Sequence, residues 1–283
     1  MDPVKVNPFL NVAAGQRATT QFTPVGPAAL FGFILIMGGT TFDETKIDAI
    51  KVMHSGKTLF PSVPGTRIRD IVKYEGQTYG AGYLPILFGD PTARTAAGQH
   101  VGSFDFTIWP GQMTLQVDIA ATAVAPTLDA YALLSPPKGL MGLGYSAAQV
   151  QLHRALIETV ITEPAAVANK AEAIGIGSDA GALLKKIAFF HAHVTQLDIK
   201  RQGFDIYEFV DNALAEAIQG DLFTRVPQAG LLTYDPIADG NYSEAKGTVD
   251  QNGNPYNYQM RLTTSAADTI YAYSDVLTVL PRL

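Results

Sequence analysis

The apolar positions of this chain fall mostly in short runs with a two-residue period, and only in a few places does the period lengthen to that of a helix. FGFILIM, residues 31 to 37, is a continuous apolar run rich in aromatic and β-branched residues, the pattern of a strand covered on both faces. DAIKVMHSG follows, with Ile50 and Val52 alternating inward and Gly56 closing the strand. In TRIRDIVKYEG, residues 66 to 76, Ile68, Ile71 and Val72 share one helical stripe, with Thr66 placed to cap it and Gly76 to stop it. The β period returns in AGYLPILFG from residue 81. Further on, Phe104, Phe106 and Ile108 alternate, Pro110-Gly111 offers a tight turn, and Leu115, Val117 and Ile119 alternate back, which predicts a hairpin. Residues 1 to 28, with Pro3, Pro8, Pro24 and Pro27 and no sustained period, read as an extended arm.

SPPKGLMGLGY, residues 135 to 145, reads as a linker because prolines and glycines interrupt both periods there. Residues 146 to 161 predict an amphipathic helix opened by a Ser146-x-x-Gln149 capping box, with Val150, Leu152, Leu156, Ile157 and Val160 as its buried stripe. After it the first half is repeated in order. KKIAFFHAH (185 to 193) stands for FGFILIM, and TQLDIKRQG stands for DAIKVMHSG. The two phrases end at Gly56 and Gly203, 147 residues apart. Residues 205 to 220 predict a stronger version of the first helix, opened by Asp205-x-x-Glu208 and closed by Gly220. AGLLTYDP (229 to 236) matches the segment from 81, Tyr258, Met260 and Leu262 alternate as Phe104, Phe106 and Ile108 do, and DTIYAYSDVLTVL supplies the last strand.

A mainly β chain with one helix inserted per half points to antiparallel sandwiches rather than βαβ units. The fold expected is two tandem eight-stranded antiparallel jelly rolls, each with a short helix between strands, plus a helix after the mid-chain linker. The domains expected are an arm and first jelly roll over 1–134, a linker over 135–145, and a helix and second jelly roll over 146–283.

Composition narrows the function. Charged residues make up 16% of the chain, below the roughly 25% of an average soluble protein, so part of the surface is expected to lie against other subunits. A net charge of -6 and a pI near 5.3, with no Lys/Arg run, leave no basis for direct nucleic-acid binding. Cysteine is absent, which removes disulfides, thiolate metal sites and thiol nucleophiles. The start of the chain lacks the pattern of a signal peptide, and the longest apolar run, from Ala28 to Met37, is too short to cross a bilayer, so a soluble, unexported chain is expected.

NVAAG (11 to 15), the strand-Gly phrase in each half and the helix after the linker together resemble the double jelly-roll major capsid proteins of tailless, membrane-containing icosahedral bacteriophages. The corticovirus kind, within the structural lineage of adenovirus hexon, is the nearest. The similarity runs from about residue 8 to about residue 280 as order and spacing. It implies a coat protein and not an enzyme: a homotrimer whose six lobes tile a near-hexagonal lattice in the virion shell. Its implied partners are neighbouring capsomers, minor capsid and membrane proteins, and an internal lipid bilayer, with assembly in the host cytoplasm. The arm at 1 to 28 would contact the space beneath or between trimers.

Two alternatives share this architecture, a cupin-like metal-dependent enzyme and a carbohydrate-binding double sandwich. His191-x-His193 on a strand would place two imidazoles on one face about 7 Å apart, with Asp198 at the spacing of a cupin carboxylate. No histidine follows His193 to complete the set. Asp250-x-Asn252-x-Asn254 has the alternating oxygens of a calcium loop, but Pro255 stands where that loop needs Gly, and Arg261 where it needs a bidentate Glu. GIGSDAG (175 to 181) misses the dinucleotide fingerprint and reads as a linker. Ser146 with His153, and Ser103 with Asp105, lack an orienting third group. The pair Asp198 and Asp205 has no catalytic placement in sequence terms, and Trp109, beside a turn, reads as a core residue rather than a sugar platform. No catalytic or cofactor-binding residue is therefore assigned, and no cofactor beyond a loose structural calcium at Asp250, Asn252 and Asn254.

Overall fold

The computed structural model describes residues 1–174, 176 and 181–280. Nine strands form the first half: β1 Asp2–Lys5, β2 Arg17–Phe22, β3 Ala29–Gly38, β4 Ile47–His54, β5 Lys57–Val63, β6 Tyr83–Leu87, β7 Phe104–Asp105, β8 Met113–Ile119 and β9 Thr127–Ser135. Among the described residues of the second half nine more are found: β10 His153–Glu163, β11 Val167–Ala173, β12 Leu183–Phe190, β13 Val194–Arg201, β14 Phe204–Asp211, β15 Leu231–Tyr234, β16 Lys246–Gly247, β17 Tyr258–Thr264 and β18 Asp268–Thr278. Helices α1 (Gly65–Tyr74), α2 (Ala96–Val101), α3 (Ala147–Gln151) and α4 (Asn212–Ala217) lie in the connections.

The first half makes two facing sheets, ordered β1-β9-β3-β6 and β2-β8-β4-β5, and the second makes β10-β18-β12-β15 and β11-β17-β13-β14. Taken strand for strand, the two orders are identical, and every ladder is antiparallel. This is the jelly roll twice over. The likeness extends to defects. A bulge interrupts β3 against β9 between Leu30 and Gly32, and another interrupts β12 against β18 between Leu184 and Lys186. The side strands β7 and β16 pair just there, with Leu30 and Leu184. Each sandwich has its own core, around Phe33, Ile50, Leu84 and Val117 in the first, and around Ile187, Ile199, Leu232 and Met260 in the second.

The repeated strand-Gly phrase is a hairpin and not a strand leading to a helix. Ser55 and Gly56 have φ of 47° and 86°, and Gln202 and Gly203 have 53° and 79°. Two successive left-handed residues form the turn whose twist suits tight hairpins. Each is flanked by its closing pair, His54 with Lys57 and Arg201 with Phe204. The helices come one strand later, each between the fourth and fifth sandwich-forming strands after that turn's sheet begins: α1 follows β5, and α4 follows β14.

Several expectations change accordingly. α1 begins at Gly65 after Pro64, with no side-chain cap, so Thr66 does not cap it, whereas Gly76 (φ 75°) stops it as expected. Of residues 205 to 220, expected to be helical, 205 to 211 belong to β14, which pairs with β13 and sets Asp205 2.8 Å from Lys200 across the ladder. The helix cap there is Asp211, whose Oδ1 accepts from the Leu214 N–H at 2.7 Å. Of residues 146 to 161 only Ala147–Gln151 are helical. The Ser146/Gln149 capping box is present, but from His153 onward pairing with β18 along the whole of β10 outcompetes the helix. Phe104 and Phe106 do not form a hairpin with β8. β7 pairs with β3, β8 lies in the opposite sheet, and both rings enter the core between them. The arm at 1 to 28 is likewise part of the first sandwich, since it supplies β1 and β2.

The 135–145 connection is strapped to the first sandwich. The backbone N–H of buried Lys138 donates to Asp105 Oδ2 at 2.7 Å, and its ammonium donates to the carbonyls of Val101, at 3.2 Å, and Leu152. Trp109 Nε1 donates to the Gln151 carbonyl at 3.0 Å.

Gly56→Ala and Gly203→Ala should each cost about 1–2 kcal/mol, the penalty of a side chain in the left-handed region. Urea denaturation of both variants checks this, and a negligible effect at either position would contradict the hairpin assignment.

Candidate functional site

The sequence LLKKIAFF in β12 places two lysines inside an otherwise apolar strand, and both are buried. Successive residues of a regular strand face opposite ways. The bulge at this point breaks that alternation and lets both ammonium groups reach the same carboxylate, Asp275 Oδ2, with Lys185 at 3.6 Å and Lys186 at 3.7 Å. Asp275 lies on the adjacent β18 and is held by Arg154 of β10, whose Nε donates to Oδ1 at 3.0 Å and whose second amino nitrogen stands 2.7 Å from Oδ2.

These side chains face the first sandwich. Glu75, at the end of α1, ion-pairs with Lys186 and lies 3.5 Å from Arg154. Asp90, just after β6, sits 3.7 Å from Lys185 and accepts from the Tyr242 hydroxyl at 2.8 Å and from the Thr92 hydroxyl at 2.6 Å. Arg154 also donates to the Leu87 carbonyl at 2.8 Å. A flanking pair, Arg225 with Asp235 at 3.0 Å, is joined to α1 by the Tyr74 hydroxyl, which donates to Asp235 at 3.2 Å. Four cations and four carboxylates thus fill the junction between the sandwiches, with their side chains almost wholly removed from solvent.

Burial opposes every charge here, and the partners decide the outcome. For Asp90, burial raises the pKa, but Lys185 and Lys186 with the two hydroxyls bring it well below the ordinary value. Asp275 is likewise lowered, since Arg154 and both lysines outweigh its burial. Lys185 goes the other way: burial lowers it despite Asp275. Burial also wins at Asp235, which is raised against the pull of Arg225. Around the charges Ile71 and Tyr74 of α1 pack on Ala188 and Leu231, and the Arg67 guanidinium lies 3.6 Å from the ring centre of Tyr271. Leu156 and Tyr273 of the second sandwich enter the core of the first.

This arrangement can do mechanical work and no evident chemistry. A buried ion pair adds little net stability but is costly to break, so one relative placement of the two sandwiches is fixed. The residues singled out for chemistry lie elsewhere. His191 and His193 are in the turn after β12 rather than on a strand. His191 Nδ1 accepts from the Val194 N–H at 3.2 Å, and Asp268 Oδ2 accepts from the N–H groups of Ala192 and His193 at 3.0 and 2.7 Å. Asp198 is on β13 and faces Asp205. Burial and that neighbouring carboxylate raise it, while a hydrogen bond from Lys200 lowers Asp205. Asp250 closes an exposed turn by accepting from the backbone N–H of Asn252 (2.8 Å) and Asn254 (2.9 Å) and from Asn254 Nδ2 (3.0 Å). Among the described residues no three His, Asp or Glu side chains come together as a metal site. GIGSDAG lies outside the described residues except for Ile176 and Gly181.

Two family models divide the chain as the sandwiches do: viral coat protein P2 N-terminal domain over residues 3–135, and viral coat protein P2 C-terminal domain over 156–280. The chain belongs to the viral coat protein P2 family. It is a structural protein of a virus shell and not an enzyme, and the ionic junction joins the two domains that define the family. No curated protein matches it in sequence. Among solved structures, the major capsid protein P2 of bacteriophage PM2 superposes with a TM-score of 0.80 at 15% identity, covering 100% of this chain and 99% of that one. The Sulfolobus turreted icosahedral virus structure gives 0.69 at 15% identity, over 99% of this chain and 91% of the other. The PBCV-1 virus capsid gives 0.55 at 13%, over 98% and 94%. At such identities these likenesses establish a shared double jelly-roll fold.

Asp275→Asn should destabilise the protein by about 3–5 kcal/mol, as removal of one partner from a buried ionic cluster does. Stability should fall with acid in two stages. His153, buried beside Phe104, is pushed down to about 3 by burial and by Lys138, so the unfolded chain takes up its proton first, and stability drains away as pH falls from 6.5. Asp90 and Asp275, held low in the fold, lose their contribution as pH falls below 3.8, partly offset by Asp235, whose raised pKa acts in the opposite sense. Urea titrations across this range should show His153→Leu shallowing the first stage and Asp90→Asn the second.

Proposed function

We propose that the chain is the major coat subunit of an icosahedral bacteriophage shell, assembled as a homotrimer whose six sandwiches present a near-hexagonal outline. The observation that carries this reading is the rigid junction. Two sandwiches of one topology, locked by buried ion pairs, give each chain two equivalent lobes in fixed relation, and a cyclic trimer of such chains offers six lobes to a lattice. The charge-poor composition supports it, because lattice and trimer contacts would cover surface that a free monomer must solvate. Neighbouring capsomers, minor capsid and membrane proteins, and a bilayer beneath the shell complete the assembly in this reading, which takes place in the host cytoplasm.

Light scattering of the purified protein should give a mass three times 30.3 kDa, and negatively stained particles should have six lobes. A stable monomer would overturn the proposal.

A further inference from the structure

α1 covers the outer face of the β10-β18-β12-β15 sheet through Arg67 over Tyr271, Ile71 on Ala188 and Leu231, and Glu75 on Lys186. The repeat spacing of 147 residues, fixed by the hairpin glycines Gly56 and Gly203, carries those three positions to Leu214 of α4 and to Ile218 and Leu222 of the π-helical turn, Ile218–Leu222, that continues α4 (together the α4 region). There they form an apolar stripe with exposures of 51%, 36% and 71%. The inner face keeps its role under the same shift: Ile68 and Val72, in the first core, correspond to Ala215 and Gln219, which are buried.

The covered face also has its counterpart. Met37 N donates to Gly82 O as His191 N donates to Gly230 O, both glycines having positive φ, which aligns the two sheets row for row. Ala188 and Leu231 then correspond to Ile34 and Tyr83, and the pair Lys186 and Asp275 to Gly32 and Leu133. Ile34, Tyr83 and Leu133 line an apolar groove on the outer face of the first sandwich, where Tyr83 is 45% exposed. The change of chemistry is concerted. Where α1 brings Glu75 to Lys186, the α4 region brings Leu222 to a place lined by Gly32 and Leu133, so charge has vanished from both sides of that contact; in the row of Tyr271 the counterpart is Asp129, which is ion-paired with Lys5 at 3.3 Å.

We infer that the Leu214/Ile218/Leu222 stripe of one chain seats in the Ile34/Tyr83/Leu133 groove of a second copy, repeating between chains the docking that α1 makes within one. This rests on the homotrimer reading and specifies its interface. The contact is heterologous, stripe to groove, as a closing ring requires. Leu222 in it replaces an ion pair by apolar contact, and the stripe and groove exposed on each monomer are both covered.

The absence of cysteine allows a clean test. Ile218→Cys combined with Tyr83→Cys in one chain should give covalent trimers on mild oxidation, while either substitution alone should give none. Leu222→Asp, at an exposed position, should keep the parent's β-sheet circular dichroism and a cooperative melt yet fall to the 30.3 kDa monomer mass. If the parent is a trimer while the double-cysteine protein fails to cross-link and Leu222→Asp stays trimeric, the interface is wrong and the trimer stands. If the parent itself is a monomer, the homotrimer reading fails and this inference with it.

Discussion

A charge taken out of water must be matched, and this constraint governs the whole molecule. Each sandwich has a core centred on its own residues, around Phe33 in one and Ile187 in the other, although Leu156 and Tyr273 of the second reach into the first. What turns two sandwiches into one body is that Glu75 and Asp90 of the first lie dry against Arg154, Lys185 and Lys186 of the second. Hydrophobic contact alone, such as Ile71 on Leu231, tolerates small slippage. Directional donors on Arg154, shared between Asp275 and the Leu87 carbonyl, do not.

Most of the fold was legible because its strands write their burial in the two-residue period. Ile50 and Val52, Leu115 and Val117, and Met260 and Leu262 all point inward as the alternation requires. The tandem order was legible too, down to the match of the segments at 81 and 229, both of which are strands of the same place in the sheet. The errors came where local signals competed. Asp205-x-x-Glu208 mimics a helix cap, yet the ladder to β13 claims the segment. The run from Leu152 to Val160 satisfies a helical stripe on paper, but eleven paired positions with β18 are a larger gain than one short helix.

The functional junction was less visible, because its members are scattered from Glu75 to Asp275 and meet only through topology. One signal was present in plain view. Charged residues inside apolar strands, Lys185 and Lys186 in β12 and Asp275 in β18, have no route to solvent and must find one another. The bulge that brings both lysines to Asp275 has its counterpart at Phe31 in the first sandwich, where it holds an aromatic ring and no charge. The same backbone defect thus serves a polar purpose in one copy and an apolar one in the other, which is how a duplicated plan acquires two different faces.

The straps on Lys138 bear on how the polypeptide is made. β9 ends at Ser135, so the first sandwich has all its strands before Arg154 is added, and Asp105 fastens the connection directly behind it. Glu75 and Asp90 remain hydrated at that stage, with their counter-cations still to be synthesised. The first half thus holds all its strands early, yet its core is complete only when Leu156 and Tyr273 of the later half are inserted, so the order of the genetic message leaves the last step of one sandwich to the other.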